Sequence, residues 1–231
     1  MLKKNTVACI TLTSLLFMTH SALALELDYK HKYEDLTKEH TDVLTLSHTF
    51  RSGIGIGAKM KFHPEEKDNG DSGNFTDRRK LAEKEVKLNY TYKLTENTGI
   101  EPAMVYEIKD HEKKYKPSLK LKYHLSDNTR LSFRYRKEIA DEENKPIKRV
   151  DRIDSEISQK IDDFKLSYTF TWYHGNENLY NNKKQDTEQE VKAGYQLTHH
   201  WLPYIGVKNV SLSKSSSQRQ TEFITGISYE F

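Results

Sequence analysis

The sequence predicts an all-β chain folded as a transmembrane antiparallel β-barrel of about twelve strands. Three observations lead there. Apolar and polar residues alternate with a period of two along most of the chain, short connections alternate with longer ones, and the final run ends on an aromatic of the apolar face. The bulk composition does not oppose this. With 35% hydrophobic and 31% charged residues the chain resembles a very soluble protein, but a barrel strand offers only every second residue to lipid, so its mean hydropathy stays low.

The first segment sets the compartment. Met1-Leu2-Lys3-Lys4 is a basic start, Val7 to Met18 is a mostly apolar run too short to span a bilayer as a helix, and Ser21-Ala22-Leu23-Ala24 supplies the small residues of a cleavage site. Residues 1–24 are therefore expected to be a signal peptide and residues 25–231 the barrel. Cys9 precedes the apolar core instead of ending it, which disfavours an acylated lipoprotein. It is the only cysteine, so the exported part holds no disulfide and its stability must come from the fold. Losing Lys3 and Lys4 lowers the formal net charge from +3 to about +1. Overall charge thus points neither to nucleic acid nor to an acidic membrane surface. No run after Leu25 approaches twenty apolar residues, which excludes a helical membrane protein.

The strands follow in order. Leu25, Leu27, Tyr29, His31 and Tyr33 share one face, against Glu26, Asp28, Lys30, Lys32 and Glu34 on the other. Leu44, Leu46, His48 and Phe50 continue the outward set, as do Ile54, Ile56, Ala58, Met60 and Phe62 after Arg51-Ser52-Gly53. Val86 to Leu94 and Ile100 to Ile108 alternate in the same way. Leu119, Leu121, Tyr123 and Leu125 then interleave with basic residues, and Leu131, Phe133 and Tyr135 with arginines, around a turn at Ser126-Asp127-Asn128-Thr129. Ile153 to Ile161, Phe164 to Trp172, Glu188 to Leu197, Trp201 to Leu212 and Gln220 to Phe231 complete about twelve strands, the even number of bacterial barrels.

Short turns are expected near Ser52, Asn97, Asp127, Asp162 and His199, and longer polar links near Thr37, Asn69, Asp110, Glu142, Asn181 and Ser215. That alternation matches short periplasmic turns and longer outer loops. Tyr33, Phe62, Tyr106, Tyr115, Tyr135 and Trp172 fall near the outer ends, and Phe50, Tyr92, Phe164, Trp201 and Tyr229 near the inner ends, as two aromatic girdles would. Pro102, Pro117 and Pro203 each delete a ladder hydrogen bond and are expected at strand beginnings or bulges. Phe223, Thr225, Ile227, Tyr229 and Phe231 read as the strand that closes the barrel and is offered to the barrel assembly machinery.

At this point the residues resemble the KdgM family of oligogalacturonate-specific porins, whose relatives include NanC and OmpL. The likeness lies in Leu27-Asp28-Tyr29-Lys30-His31-Lys32-Tyr33, Gly53-Ile54-Gly55-Ile56-Gly57, Leu131-Ser132-Phe133-Arg134-Tyr135-Arg136 and His200-Trp201-Leu202-Pro203-Tyr204-Ile205. The resemblance implies a twelve-stranded monomeric barrel whose arginine-rich, anion-selective pore takes acidic oligosaccharides. This chain departs from it by placing lysine at many lumen-facing positions.

Twelve strands about 4.8 Å apart and tilted about 40° give a tube roughly 24 Å across, narrowed by side chains to a passage on the order of 10 Å. Among the inward cations, Lys116, Lys120, Lys122, Arg130, Arg134 and Arg136 are expected on one hairpin with no inward acid, and Lys120 falls opposite Arg134. These six are the expected substrate track, with Lys59, Lys61, Lys87 and Lys165 as secondary lumen cations. An alternative is that lumen cations merely pair with neighbouring acids and hold a wet interior open. Tyr173 and Tyr204 are the best inward aromatics for sugar stacking, or ordinary interface residues.

An enzyme is not expected: Ser118 and His124 share a strand face about 20 Å apart, and His124 with Ser132 would lie near a periplasmic turn, remote from lipid. The His199-His200 pair lacks a third metal ligand, so neither cofactor nor metal is expected. The expected partners are acidic oligosaccharides and outer-membrane lipid. The alternatives are a channel for sialic acid or another anionic sugar, and a non-conducting structural or adhesive barrel. A conductance trace separates the last from the others.

Overall fold

The computed structural model describes residues 24–67 and 70–231, so the expected leader lies outside the described residues apart from Ala24. The chain runs as β1 (Ala24–Glu34), β2 (His40–Thr49), β3 (Ile54–Pro64), β4 (Arg79–Tyr90), β5 (Tyr92–Lys93), β6 (Thr98–Ile108), β7 (Glu112–His124), β8 (Thr129–Glu142), β9 (Lys148–Ile161), β10 (Phe164–Gly175), β11 (Gln185–Tyr195), β12 (Trp201–Ser211) and β13 (Arg219–Glu230). The two-residue β5 continues β4, so the described residues form a wall of twelve strands. All pairings are antiparallel, and β13 returns to β1 with Tyr229 against Leu27 and Phe223 against Tyr33, which closes the sheet. Closure pairs every wall strand on both sides, the condition for crossing lipid with strands.

The period-two pattern sorts side chains as expected. Val86, Leu119, Phe133, Ile157 and Ile205 are exposed on the outside, where lipid takes the place of a core. Charged and hydroxyl side chains fill the inside. At one rim Tyr106 and Tyr115 pack at 5.2 Å, and at the other Trp201 lies 4.5 Å from Tyr229 and Phe164 lies 5.0 Å from Tyr195. These two aromatic belts mark the membrane boundaries.

The rim with links 50–53, 94–97, 125–128, 162–163 and 196–200 is the inner one, and 65–78 and 176–184 are the long links of the outer rim. Gly53 turns the first inner link with φ +88°, where a Cβ would strike the Thr91 carbonyl at 2.6 Å. The expected long link at Asp110 is instead short, residues 109–111. Glu112, Lys113 and Lys114 extend β7 outward, and Lys109 N bonds Glu112 O at 2.8 Å to close a tight turn.

Two of the three prolines depart from expectation. Pro102 and Pro117 sit inside β6 and β7, neither at their starts. Pro102 lies between Ala103, paired to Asn89, and Ile100, paired to Tyr92, and opposite this gap the wall strand breaks into β4 and β5. A residue without N–H cannot bond there. Pro117 keeps its place against Met104, but the β7–β8 ladder skips from Tyr115 with Ile139 to Ser118 with Arg136. Pro203 stands just past the last β11–β12 pair, Gly194 with Tyr204.

The loop residues 70–78 are fastened to the outside of the wall. A bulge between Lys61 and Phe62 brings Phe62 opposite Leu81 and turns Arg79 outward. There Arg79 Nε donates to Asp42, which also takes the Tyr29 hydroxyl and His31 Nδ1 at 2.8 Å each. Asp42 is only 9% exposed despite facing outward. Phe75 meets the His31 ring edge-on at 5.0 Å, and the Ser72 hydroxyl donates to Thr37 O at 3.1 Å. In the β1–β2 link, a hydrogen bond from His63 holds the Glu39 carboxyl below its ordinary range.

Candidate functional site

The lumen is the site, because inward parity delivers one charged or polar side chain for every two residues of every strand. In the outer half the charges neutralise one another. Lys59 meets Glu85 at 2.8 Å, Lys61 meets Glu83 at 2.8 Å, and Lys116 lies between Glu107 and Glu85. Glu107 is 2% exposed, with Lys114 3.3 Å away. Five lysines around three carboxylates need no metal to balance them, although Glu83, Glu85 and Glu107 lie close enough to hold one. Nearer the inner rim Lys87 and Lys122 are neutralised too, sharing Glu101 at 3.0 and 2.5 Å.

The rest of the inner half differs. A cavity of about 700 Å³ opens there, its wall carrying Lys30, Lys120, Arg130, Lys160, Lys165 and Lys192 against four acids, Glu26, Asp28, Asp127 and Glu156. A narrower space of about 180 Å³ continues from it past Arg134, Arg152 and Asp154, with Lys120 and Glu156 in both walls. Among the described residues, Lys30, Lys120, Lys160 and Lys165 have no carboxylate at ion-pair distance. Arg130 and Lys192 reach theirs only at 3.9 and 3.8 Å, to Glu156 and Glu190.

The β7–β8 hairpin therefore corrects the expectation of an uncompensated cation stripe. Lys120 does face Arg134. Arg134, however, reaches Asp154 at 2.8 Å, Lys116 and Lys122 are held by acids of β4 and β6, and Arg136 has Glu138 at 3.8 Å on its own strand. The six residues do line one side of the lumen, but most are already neutralised by neighbours. Of the secondary set, Lys59, Lys61 and Lys87 are paired and Lys165 is open.

Glu101 and Glu107 escaped sequence reasoning although alternation with Ile100, Met104 and Ile108 placed them inward. Weighing each hairpin against its flanking strands would have found them. The two inward tyrosines are also engaged: Tyr173 donates to Glu188 at 2.6 Å beneath Arg152, and Tyr204 donates to Asp28 at 2.8 Å. Gly226 makes the latter possible, since any Cβ there would collide with the Tyr204 ring. At the inner rim His200 Nδ1 lies 2.6 Å from Glu230 O and its ring stacks on Tyr229, a structural role.

A closed barrel with an apolar exterior, two aromatic belts and a charged interior is an outer-membrane channel. Residues 18–231 match the family described as oligogalacturonate-specific porin protein (KdgM), and the chain belongs to that family. It is 27% identical over 233 residues to the oligogalacturonate-specific porin KdgM of Dickeya dadantii (strain 3937), covering 96% of this chain and 98% of that one. It is also 27% identical to the uncharacterized protein YiiY of Salmonella typhimurium, covering 91% and 92%. Among solved structures, the KdgM porin superposes with a TM-score of 0.68 at 24% identity, covering 89% of this chain and 99% of that one. The NanC porin superposes with a TM-score of 0.74 at 19% identity, covering 89% and 100%. The chain is thus an outer-membrane porin, a channel and not an enzyme.

Proposed function

We propose that this porin passes small acidic oligosaccharides of the oligogalacturonate type by passive diffusion, as an exported monomer whose residues 1–24 are removed. One observation carries the reading: among the described residues, Lys30, Lys120, Lys160 and Lys165 face a lumen cavity of about 700 Å³ with no carboxylate at ion-pair distance. Six cations against four acids leave that wall with an excess of positive charge, which attracts mobile anions, and a low-dielectric surround strengthens its field. A uronate chain presents one carboxylate per sugar, so it can exchange them along such a surface. Lysine offers a mobile point charge instead of a planar fork, which favours selection by charge over selection by shape.

The paired track residues serve a second part. Arg134 holds Asp154 by hydrogen bonds that an incoming carboxylate can replace one at a time, while Arg130 and Arg136 stand 3.9 and 3.8 Å from Glu156 and Glu138, beyond hydrogen-bond reach. Assembly proceeds through β13, the last strand to find its partner. The test is a planar-bilayer recording of the purified channel in a salt gradient, with galacturonate trimers and a neutral trisaccharide as competitors. Anion preference with block by the uronate alone is the expected result. Cation preference, or equal block by both sugars, would overturn the reading.

A further inference from the structure

Outside the lumen, the outer aromatic belt fixes where the headgroups of the outer leaflet begin. Val86, Tyr106, Tyr115, Ile139 and Arg149 form one register row across β4, β6, β7, β8 and β9. The next outward-facing row lies two residues further out, about 7 Å along each strand. It reads Met60, Lys84, Ile108, Lys113 and Asp141.

Lys84 and Lys113 are both exposed on the lipid side. They flank Ile108 and stand about 10 Å apart, two strand spacings. Among the described residues neither has a carboxylate at ion-pair distance, and Asp141, across the ladder from Lys113, makes no such pair with it. Their neighbours behave otherwise: Lys109 and Lys114 turn inward to Glu83 and Glu107. Elsewhere on the same rim, outward Lys137 is neutralised by Asp151 at 3.1 Å. Two unpaired ammonium groups side by side directly above a tyrosine row lie where lipid phosphates lie, and their four-carbon stems can rise along the apolar surface to reach them.

We propose that Lys84 and Lys113 form a binding surface for the phosphate groups of an outer-leaflet glycolipid, with Ile108 between them against its acyl chains. Arg149 extends the cationic surface along the lower row. The surface fits phosphate chemistry on a lipid because the acyl chains pack on the row below while the charge sits on the row above. A soluble phosphate would gain only the charged half.

The full-length porin, purified from outer membranes in mild detergent, is compared with Lys84→Gln/Lys113→Gln and with a control, Lys183→Gln/Lys184→Gln, on the exposed 176–184 loop. Retained lipid phosphorus per barrel is expected to fall at least twofold in the first variant and to stay unchanged in the control. Thermal midpoints are then measured after adding lipopolysaccharide with or without its lipid phosphates. The phosphorylated lipid is expected to raise the midpoint of the unaltered porin by several degrees, and the dephosphorylated lipid to raise it much less. Equal retention by the Lys84/Lys113 variant, or equal stabilisation by the two lipids, overturns the proposal. If that variant does not fold, the two-lipid comparison on the unaltered porin decides.

Discussion

Lys120 and Arg134 stand directly opposite each other across the β7–β8 ladder, yet Arg134 holds Asp154 at 2.8 Å while Lys120 has no carboxylate at ion-pair distance among the described residues. Two cations at one level of a wall repel, and the one left without a counter-charge keeps its field in the lumen. Anion preference should therefore follow the unpaired residues. Lys120→Gln with Lys160→Gln is expected to lower the reversal potential in a salt gradient more than Arg134→Gln with Arg136→Gln does. Both differences should shrink towards 1 M salt, where screening acts within about 3 Å. Equal shifts from the two pairs at low salt would mean a diffuse charged filter with no localised surface.

The opposite behaviour is expected where a cation is enclosed by acids. Lys116 is 7% exposed, between Glu107 and Glu85. Lys116→Met removes their shared counter-charge and leaves Glu107 with Lys114 alone on that side. Breaking a buried pair from one side costs on the order of 3 kcal/mol. Urea unfolding of the barrel in lipid vesicles measures this, with conductance of the surviving fraction changed little. A stability equal to that of the unaltered porin would show that the outer-half network is solvated and mutually redundant.

Asp42 fastens the longest outer loop to the wall through Tyr29, His31 and Arg79. Asp42→Asn keeps the shape but loses the charge that holds Arg79, and charged hydrogen bonds contribute about 1.5–3 kcal/mol each. Faster protease cleavage within residues 70–78 is the expected outcome, with the barrel itself still resistant. Acid should act in the same direction through the neighbouring link. Glu39 has a lowered pKa, so the stability it contributes is present above its unfolded pKa and is lost as pH falls through its folded one. Cleavage that does not change with either treatment would leave the loop held by Phe75 and Ser72 instead.

The strand order, the inward and outward sets and the closing strand were legible because a period of two leaves little freedom in a barrel wall. What stayed hidden came from places where that period fails or where strands interact. Counting outward from Val86 and Leu88, Arg79 belongs to the lumen; the bulge at Ala82 reverses the parity and delivers it to Asp42 on the outside. Pro102 was visible as a defect, but its consequence falls on a neighbour, the break at Thr91. The charge balance of the β7–β8 hairpin is hidden for a similar reason. Its compensating acids, Glu85, Glu101, Glu107 and Asp154, lie on other strands, and Glu138 on its own.

Parity itself can be tested by placing one residue type on the two faces. Phe133 is 48% exposed on the lipid side, between Leu121 and Ser155, whereas Ser158 lines the lumen cavity beside Lys160. A lysine at Phe133 must bring its ammonium into hydrocarbon or bend it to a distant headgroup, at a cost of about 2–4 kcal/mol near the bilayer midplane. A lysine at Ser158 meets water and other cations, so its cost is the repulsion that salt screens. Phe133→Lys is therefore expected to reduce the heat-modifiable, inserted fraction with no change in the selectivity of the channels that do insert. Ser158→Lys is expected to insert normally and to raise anion preference at low salt. Should Ser158→Lys instead block insertion while Phe133→Lys inserts freely, the faces of β8 and β9 would be assigned the wrong way round, and the open lysines of the inner cavity could not line a pore.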